Sequence, residues 1–395
     1  MSLPSINSGD VVKSEKSNFI NMVYNYDWSS TSLGPIDRWD PAIKNLTNLI
    51  LNTEFPICVF INPPDWILIY NKAYLPILKS KHPEALGMRL QDVFPEAFES
   101  RTGYELNNVI ATGKGVYGHD EGGAFERDGY IEEVYFCNTF SPVFKSDGTI
   151  DAILCLVQET TQKVIEARRL QTISEFGYHI SGVETLENAC HIVTKVLSNN
   201  KDIPYTLIYL IKHTLNASSE SPIAHLIATT FDNDNKKRHI PDYLPETHEV
   251  IDLAKNANKN YDTYIEIQRG ASIHSFLKCD SWPIYLALKE REHVKILLRD
   301  ESRALLFSTK ISQTLSVLLI YGVDQMHTID EKHMEFLQLV TDQINIFLQR
   351  GKSIEEEKER TKMLTYLNCQ KISFLQGISH ELKTPLTLMI SPLDE

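Results

Sequence analysis

The sequence predicts an α+β protein with two antiparallel-sheet units joined by helical linkers and a long helix at the C-terminal end. Three observations carry this expectation. Short β-rich runs closed by turn residues occur in two successive regions, polar segments at helical spacing separate and follow them, and an apolar stripe marks the end of the chain. With 395 residues, 42% of them apolar, the chain can bury two or three cores.

Residues 1–39 read as an N-terminal extension. Asp40-Pro41 then supplies a cap and a first-turn proline for a short helix with Ile43, Leu46 and Ile50 on one face. The runs 57–61 and 67–70 flank the turn Asn62-Pro63-Pro64-Asp65 and form a hairpin that leads through Asn71-Lys72-Ala73-Tyr74 into helices. Asp120-Glu121-Gly122-Gly123 reads as a turn within a loop. Runs 134–144 and 150–157 flank Ser146-Asp147-Gly148, where Asp-Gly supplies a hairpin turn. The first unit is therefore placed at 40–162.

A polar, charged helix, 163–178, links it to a second unit at 179–350. That unit opens with a helix capped at Thr185, carrying Leu186, Ala189, Cys190, Val193 and Leu197 on one face. Strands are expected at 205–211, 225–230, 282–288 and 315–322, and polar loops at 232–240 and 254–262. Thr328-Ile329-Asp330-Glu331 has the pattern of a capping box before a helix with Phe336, Val340, Ile344 and Phe347 on one side. Residues 351–373 read as a charged coiled-coil helix, and 374–395 as a further helical segment. The stripe runs through Leu364, Leu367, Leu375, Ile378, Leu382, Leu386, Met389 and Leu393, so it calls for a partner helix or a second copy of itself.

The formal charge of −13, with one short basic run at Lys236-Lys237-Arg238, excludes nucleic acid and anionic membranes as favoured partners. No apolar stretch reaches the roughly 18 residues of a membrane span, and the N-terminus lacks signal-peptide character, so the expected location is cytoplasmic. The six cysteines form no CxxC pair and no zinc-ligand spacing with histidine. Most sit inside apolar runs and read as reduced core residues, and no metal site is expected.

The chemistry sits in Phe374-Leu375-Gln376-Gly377-Ile378-Ser379-His380-Glu381-Leu382-Lys383-Thr384-Pro385-Leu386-Thr387. His380 is two residues from both Ile378 and Leu382, which turns it away from the stripe and toward solvent. Thr384 lies one turn on, and Glu381 sits beside it at the edge of the stripe. Pro385 removes a helical hydrogen bond and should kink the helix. A neutral imidazole is a nucleophile near neutral pH, a neighbouring carboxylate can take its second proton, and a hydroxyl can orient water. This set suits phosphoryl transfer to His380, with Glu381 as base and Thr384 serving the hydrolytic step.

The string SHELKTPLT resembles the H-box of histidine kinases, with Lys383 where arginine is commoner. Upstream, Asp27-Trp28-Ser29, Leu33-Gly34-Pro35, Tyr70-Asn71-Lys72-Ala73-Tyr74, His82-Pro83-Glu84-Ala85-Leu86-Gly87, Gly129-Tyr130-Ile131-Glu132-Glu133-Val134-Tyr135-Phe136 and Glu159-Thr160-Thr161 are similar to the PAS domain of a PAS-GAF sensor kinase group. The resemblance implies a PAS domain, then a GAF domain, then the phosphoacceptor helix of a two-component kinase. In that reading His380 accepts the γ-phosphoryl of ATP and passes it to a response-regulator aspartate. Glu381 assists as base and Thr384 supports dephosphorylation.

The resemblance further implies a homodimer through the C-terminal helix, a receiver-domain partner, and an ATP-binding domain in cis or trans. ATP and Mg belong to the complete kinase. No asparagine-bearing helix or glycine-rich phosphate loop is found here, so this chain is expected to be truncated just after the H-box, to bind neither, and to be inactive alone. The sensory ligand is left unassigned. Cys58, Cys137 and Cys155 read as strand residues, which argues against a flavin–thiol adduct. Cys190-His191 reads as part of a buried helix rather than a bilin site, and His179, His191 and His225 are not taken as haem ligands. The alternative is a non-catalytic dimerising adaptor; a cyclic-nucleotide-binding protein lacks a phosphate-cradling motif here.

Overall fold

The computed structural model describes residues 17–213, 222–231, 243–257, 259, 261, 263–269, 272–289 and 293–390, with side chains 269, 272 and 382–390 set aside. The basic run at 236–238 and the loop 232–240 lie outside these residues. The chain divides into two units, Met1–Leu170 with Glu266–Ser275 and Gln325–Asp330, and Gln171–Ile265 with Phe276–Asp324 and Glu331–Glu395. Among the described residues no helix is long and apolar enough to cross a membrane.

In the first unit, helix α1 (Pro41–Leu51) starts as its sequence requires. The Ala42 N–H donates to Asp40 Oδ1 at 2.8 Å, which satisfies one of the orphan donors of the first turn. Strands β1 (Ile57–Ile61) and β2 (Ile67–Tyr70) pair antiparallel, with Cys58 opposite Tyr70 and Ile61 opposite Ile67.

Asn71 then closes the corner. Its fully buried side chain accepts from the Ile57 N–H at 3.1 Å and donates to the carbonyls of Ile50, Thr53 and Phe55. One amide thereby pins the end of α1 to the start of β1 and gives the Ile57 N–H its partner.

Short helical turns lead to α2 (Gly103–Thr112), which ends at Gly113 in the left-handed region, φ 64°. Strands β3 (Val116–Glu126), β4 (Ile131–Phe144) and β5 (Ile150–Glu159) complete an antiparallel sheet in the order β2-β1-β5-β4-β3. Asp120-Glu121-Gly122-Gly123, read as a turn, is part of β3. Its glycines tolerate the strand because Gly122 lies under the Tyr135 ring and Gly123 under the Phe125 ring, where a Cβ would collide.

The core on this sheet includes Phe60, Tyr70, Leu78, Leu106, Val134 and Phe140. It begins well before Asp40. Phe19, Val23, Trp28 and Trp39 are buried in it, with the Trp28 and Trp39 indole N–H groups donating to the carbonyls of Val23 and Gly34. Helix α3 (Thr161–His179) follows β5.

The second unit opens with α4 (Leu186–Leu197), whose cap is Thr185: its Oγ1 accepts from the Asn188 N–H at 3.0 Å. The second sheet comprises β6 (Thr206–Lys212), β7 (Ile223–Thr229), β8 (Val250–Asp252), β9 (Tyr264–Arg269), β10 (Ser272–Lys278), β11 (Val294–Leu297), β12 (Arg303–Lys310) and β13 (Leu315–Val323). Its order is β8-β7-β6-β13-β12-β11-β10-β9. The expected antiparallel pattern is broken by a parallel pairing of β10 with β11, where Leu277 lies opposite Ile296.

Central strand β13 is buried along its whole length. Leu318 and Ile320 face a cluster with Tyr209, Trp282 and Ile284. On the other side Tyr321 Oη lies 3.0 Å from Thr341 Oγ1 of the C-terminal helix α7 (Glu331–Ile390).

Two expectations for this unit fail. Residues 282–288 are not a strand: Ile284–Lys289 form a helix, α6, because Pro283 cannot donate to a ladder and Ile284 and Ala287 fall on one buried helical face. Within 254–262, read as a loop, Leu253–Ala257 form a short helix, α5, begun by the Ala254 N–H donating to Asp252 Oδ1. Buried Asn256 holds it to α6, donating to the Trp282 carbonyl at 3.0 Å and accepting from the Tyr285 N–H at 3.0 Å.

Candidate functional site

Helix α7 runs unbroken for 60 residues, straight through positions 350 and 373, where the sequence suggested boundaries. It also continues through Pro385. Its proximal part is sealed into the second unit: Phe336, Leu337, Val340, Ile344, Phe347 and Leu348 are all buried. Thr341, on the same face, donates back to the Leu337 carbonyl and meets the Tyr321 hydroxyl.

From Glu356 to Glu381 every residue is exposed. His380 and Glu381 therefore stand on solvent-facing helix, as expected, adjacent in sequence and about 100° apart around the axis. The apolar residues meant to lie on the opposite, covered side are exposed as well: Leu364 is 61%, Leu367 47%, Leu375 54% and Ile378 38% accessible. Exposure alone thus does not separate His380 from its stripe. The backbone of Thr384 is helical and one turn beyond His380; its side chain, like those of Leu382, Leu386 and Met389, lies outside the description, and Leu393 falls outside the described residues.

A second constellation gathers where α3 leaves the first sheet. Arg127 is 2% exposed, with Nε 2.9 Å from Glu132 Oε1 and a fork of Nη1 and Nη2 on Glu159 at 2.8 and 3.2 Å. Burial disfavours the charge of Glu159, but the hydrogen bonds and charge of Arg127 outweigh it, so the carboxyl is held below its ordinary range. Burial likewise opposes the Arg127 charge, and its bonds to Glu159 and Glu132 reverse that, raising its pKa.

Glu159 also accepts from the Thr161 hydroxyl at 2.8 Å, and Thr161 Oγ1 accepts from the Tyr135 N–H at 3.0 Å. The Thr160 N–H donates to the Tyr135 carbonyl at 2.8 Å. Two turns into α3, Arg168 grips Glu133 with Nη1 and Nη2 at 2.9 and 3.1 Å. The first half of this helix is therefore tied to the sheet by charge-assisted hydrogen bonds. Sequence reasoning flagged Glu159-Thr160-Thr161 and, within Gly129–Phe136, Glu133, but missed Arg127 and Arg168. Their partners lie 32 and 35 residues away, and no local pattern announces them.

Residues 52–165 match the family model of the PAS fold. Among solved structures the chain is similar to a sensory box sensor histidine kinase from Vibrio cholerae, at 13% identity over 40% of this chain and 98% of that one, with a TM-score of 0.20. It is similar to the PAS domain of Bordetella pertussis BvgS at 20% identity, over 34% of this chain and 96% of that one, with a TM-score of 0.25. A Rhodobacter sphaeroides LOV protein aligns at 10% identity over 40% and 80% of the two chains, with a TM-score of 0.27. No curated protein matches. Residues 52–165 are a PAS domain, and the Arg127–Glu159–Thr161 network stands where its last strand passes into α3.

Proposed function

We propose that this chain is the sensory and phosphoacceptor part of a two-component histidine kinase. The PAS domain and the second unit, acting as a GAF domain, bias the helix that presents His380. The observation that carries this reading is the string Ser379-His380-Glu381-Leu382-Lys383-Thr384-Pro385-Leu386-Thr387 on a helix whose His380 and Glu381 face solvent. The uncovered stripe beside it supports pairing of α7 with a second copy.

In this reading one imidazole nitrogen of His380 attacks the γ-phosphorus of ATP. A P–N bond forms, the bond to the β-phosphate oxygen breaks, and ADP leaves. Glu381 takes the proton from the other ring nitrogen, a role worth about 10²–10⁴ in rate. The phosphoryl group then passes to a receiver-domain aspartate, and Thr384 orients water for hydrolysis. ATP and Mg are brought by a catalytic domain, in cis or in trans.

The test incubates the chain with Mg-ATP and a purified histidine-kinase catalytic domain. Acid-labile, base-stable phosphate on the wild-type chain, absent from His380→Gln and strongly slowed in Glu381→Gln, is the expected result. Label that persists in His380→Gln sinks the proposal. Failure to label wild type beside a catalytic domain active on its own substrate favours a dimerising adaptor, a reading that asks only that the stripe be covered.

A further inference from the structure

Strand β3 contains a bulge. Gly118 is opposite Asn138 and Glu121 opposite Phe136, so His119 and Asp120 together face the single residue Cys137 on β4. Successive strand residues normally point to opposite faces. Here the extra residue, with Asp120 at φ 47°, turns both side chains toward the same thiol. Non-glycine residues enter that region rarely, aspartate more readily than most.

One donor atom from each of His119, Asp120 and Cys137 lies within 4.8 Å of the others. Cys137 Sγ is 3.5 Å from His119 Nδ1 and 3.4 Å from Asp120 Oδ1. A tetrahedral zinc ion with Zn–S of about 2.3 Å and Zn–N or Zn–O of about 2.0–2.2 Å separates its donors by about 3.3–3.6 Å. Both edges through the thiol already have that length. The set of imidazole, carboxylate and thiolate is also what a borderline-soft divalent ion prefers.

We propose that His119, Asp120 and Cys137 form a binding site for a divalent transition metal of the Zn²⁺ type, with water in the fourth position. The hydrogen bonds now shared among the three are what the ion replaces. Cys137 gives up its S–H proton to solvent as the metal–sulfur bond forms, so affinity rises with pH.

The site also has an occupant to displace. Lys163 Nζ, from the first turn of α3, lies 3.3 Å from Asp120 Oδ2. A divalent ion on Asp120 repels that ammonium and releases one tether of the helix that leaves the PAS sheet. Metal occupancy is thereby coupled to the root of α3, independently of any role for His380. No spacing rule finds this site in the sequence, because the bulge and the strand pairing assemble it.

Co²⁺ is the probe, added to the untagged full chain carrying Cys369→Ser, which removes the exposed thiol; the remaining cysteines besides Cys137 are buried. One equivalent should bind with a thiolate-to-cobalt charge-transfer band. Cys137→Ser should lose the band, His119→Gln should weaken binding by about 10-fold or more, and Lys163→Ala should tighten it. Unchanged circular dichroism spectra establish that these surface variants fold. A band that survives Cys137→Ser, equal affinity in His119→Gln, or no stoichiometric uptake by the parent chain overturns the proposal.

Discussion

Two halves of one helix carry the same kind of apolar spacing and meet opposite surroundings. In the proximal half of α7, Phe336, Val340, Ile344 and Phe347 recur every three or four residues and vanish into the second unit. In the distal half, Leu364, Leu367, Leu375 and Ile378 recur in much the same way and remain exposed. Helix propensity does not distinguish the halves; only the presence of a surface to pack on does. The difference teaches that packing on the second unit reaches as far as Glu355, whose Oε1 accepts from the Leu186 N–H, and that beyond it the stripe stays exposed among the described residues. The proposed pairing of α7 with a second copy would cover this face.

The sealed regions should break hardest when cut. Phe347→Ala removes a ring stacked edge-on against Phe176 at 5.7 Å and leaves a cavity, so unfolding of the second unit should lose about 3–5 kcal/mol in chemical denaturation. Asn71→Ala takes the side-chain partner from the buried Ile57 N–H and from the carbonyls of Thr53 and Phe55 in the PAS domain. A loss of about 3 kcal/mol is expected there, read as a fall in its denaturation midpoint.

Glu159→Gln keeps the shape but removes the charge that faces Arg127, and should cost about 2 kcal/mol at neutral pH. The sign of the pH dependence follows from the depressed carboxyl. Its contribution is fully present above the unfolded value near 4.5 and is lost as pH falls through the lower folded value. Wild-type stability should therefore fall below about pH 4.5 more steeply than that of Glu159→Gln. Equal slopes in the two proteins would remove Glu159 from the account.

The distal half should respond least. In the monomer, Leu367→Ala is expected to move the unfolding free energy by no more than about 0.5 kcal/mol, because the side chain stays half-exposed among the described residues. A loss comparable to that of Phe347→Ala would show that the stripe is already packed and erase the contrast.

What could be read from the sequence follows the same division between local and distant causes. The caps at Asp40 and Thr185, the β1–β2 and β4–β5 hairpins, and strands β6, β7 and β13 were legible because each signal is local: a cap, a turn, a run of β-branched residues. Strand β3 was hidden by its glycines, which act as turn residues in isolation but here accommodate the rings of Tyr135 and Phe125. Short strands β8 and β11 and the outer pair β9 and β10 carry too little pattern to register, and Trp282 to Leu288 is too short for a helical period to outvote its apolar composition.

His380 and Glu381 were legible as a motif and Thr384 by its spacing, whereas the Arg127–Glu159 fork and the His119–Asp120–Cys137 cluster come from pairings across strands. Side-chain charge networks of this sort have no period to find. They appear only once the register of β3 on β4 and the exit of β5 are known.

Sedimentation equilibrium of the full chain across a concentration series tests most directly whether the distal half of α7 is completed by a second copy. A concentration-dependent dimer is expected that reverts to monomer in Leu367→Asp with Ile378→Asp, while both proteins share one unfolding midpoint when compared at dilutions where each is monomeric. A wild-type chain that stays monomeric at every concentration, or a dimer that the double substitution leaves intact, would contradict it.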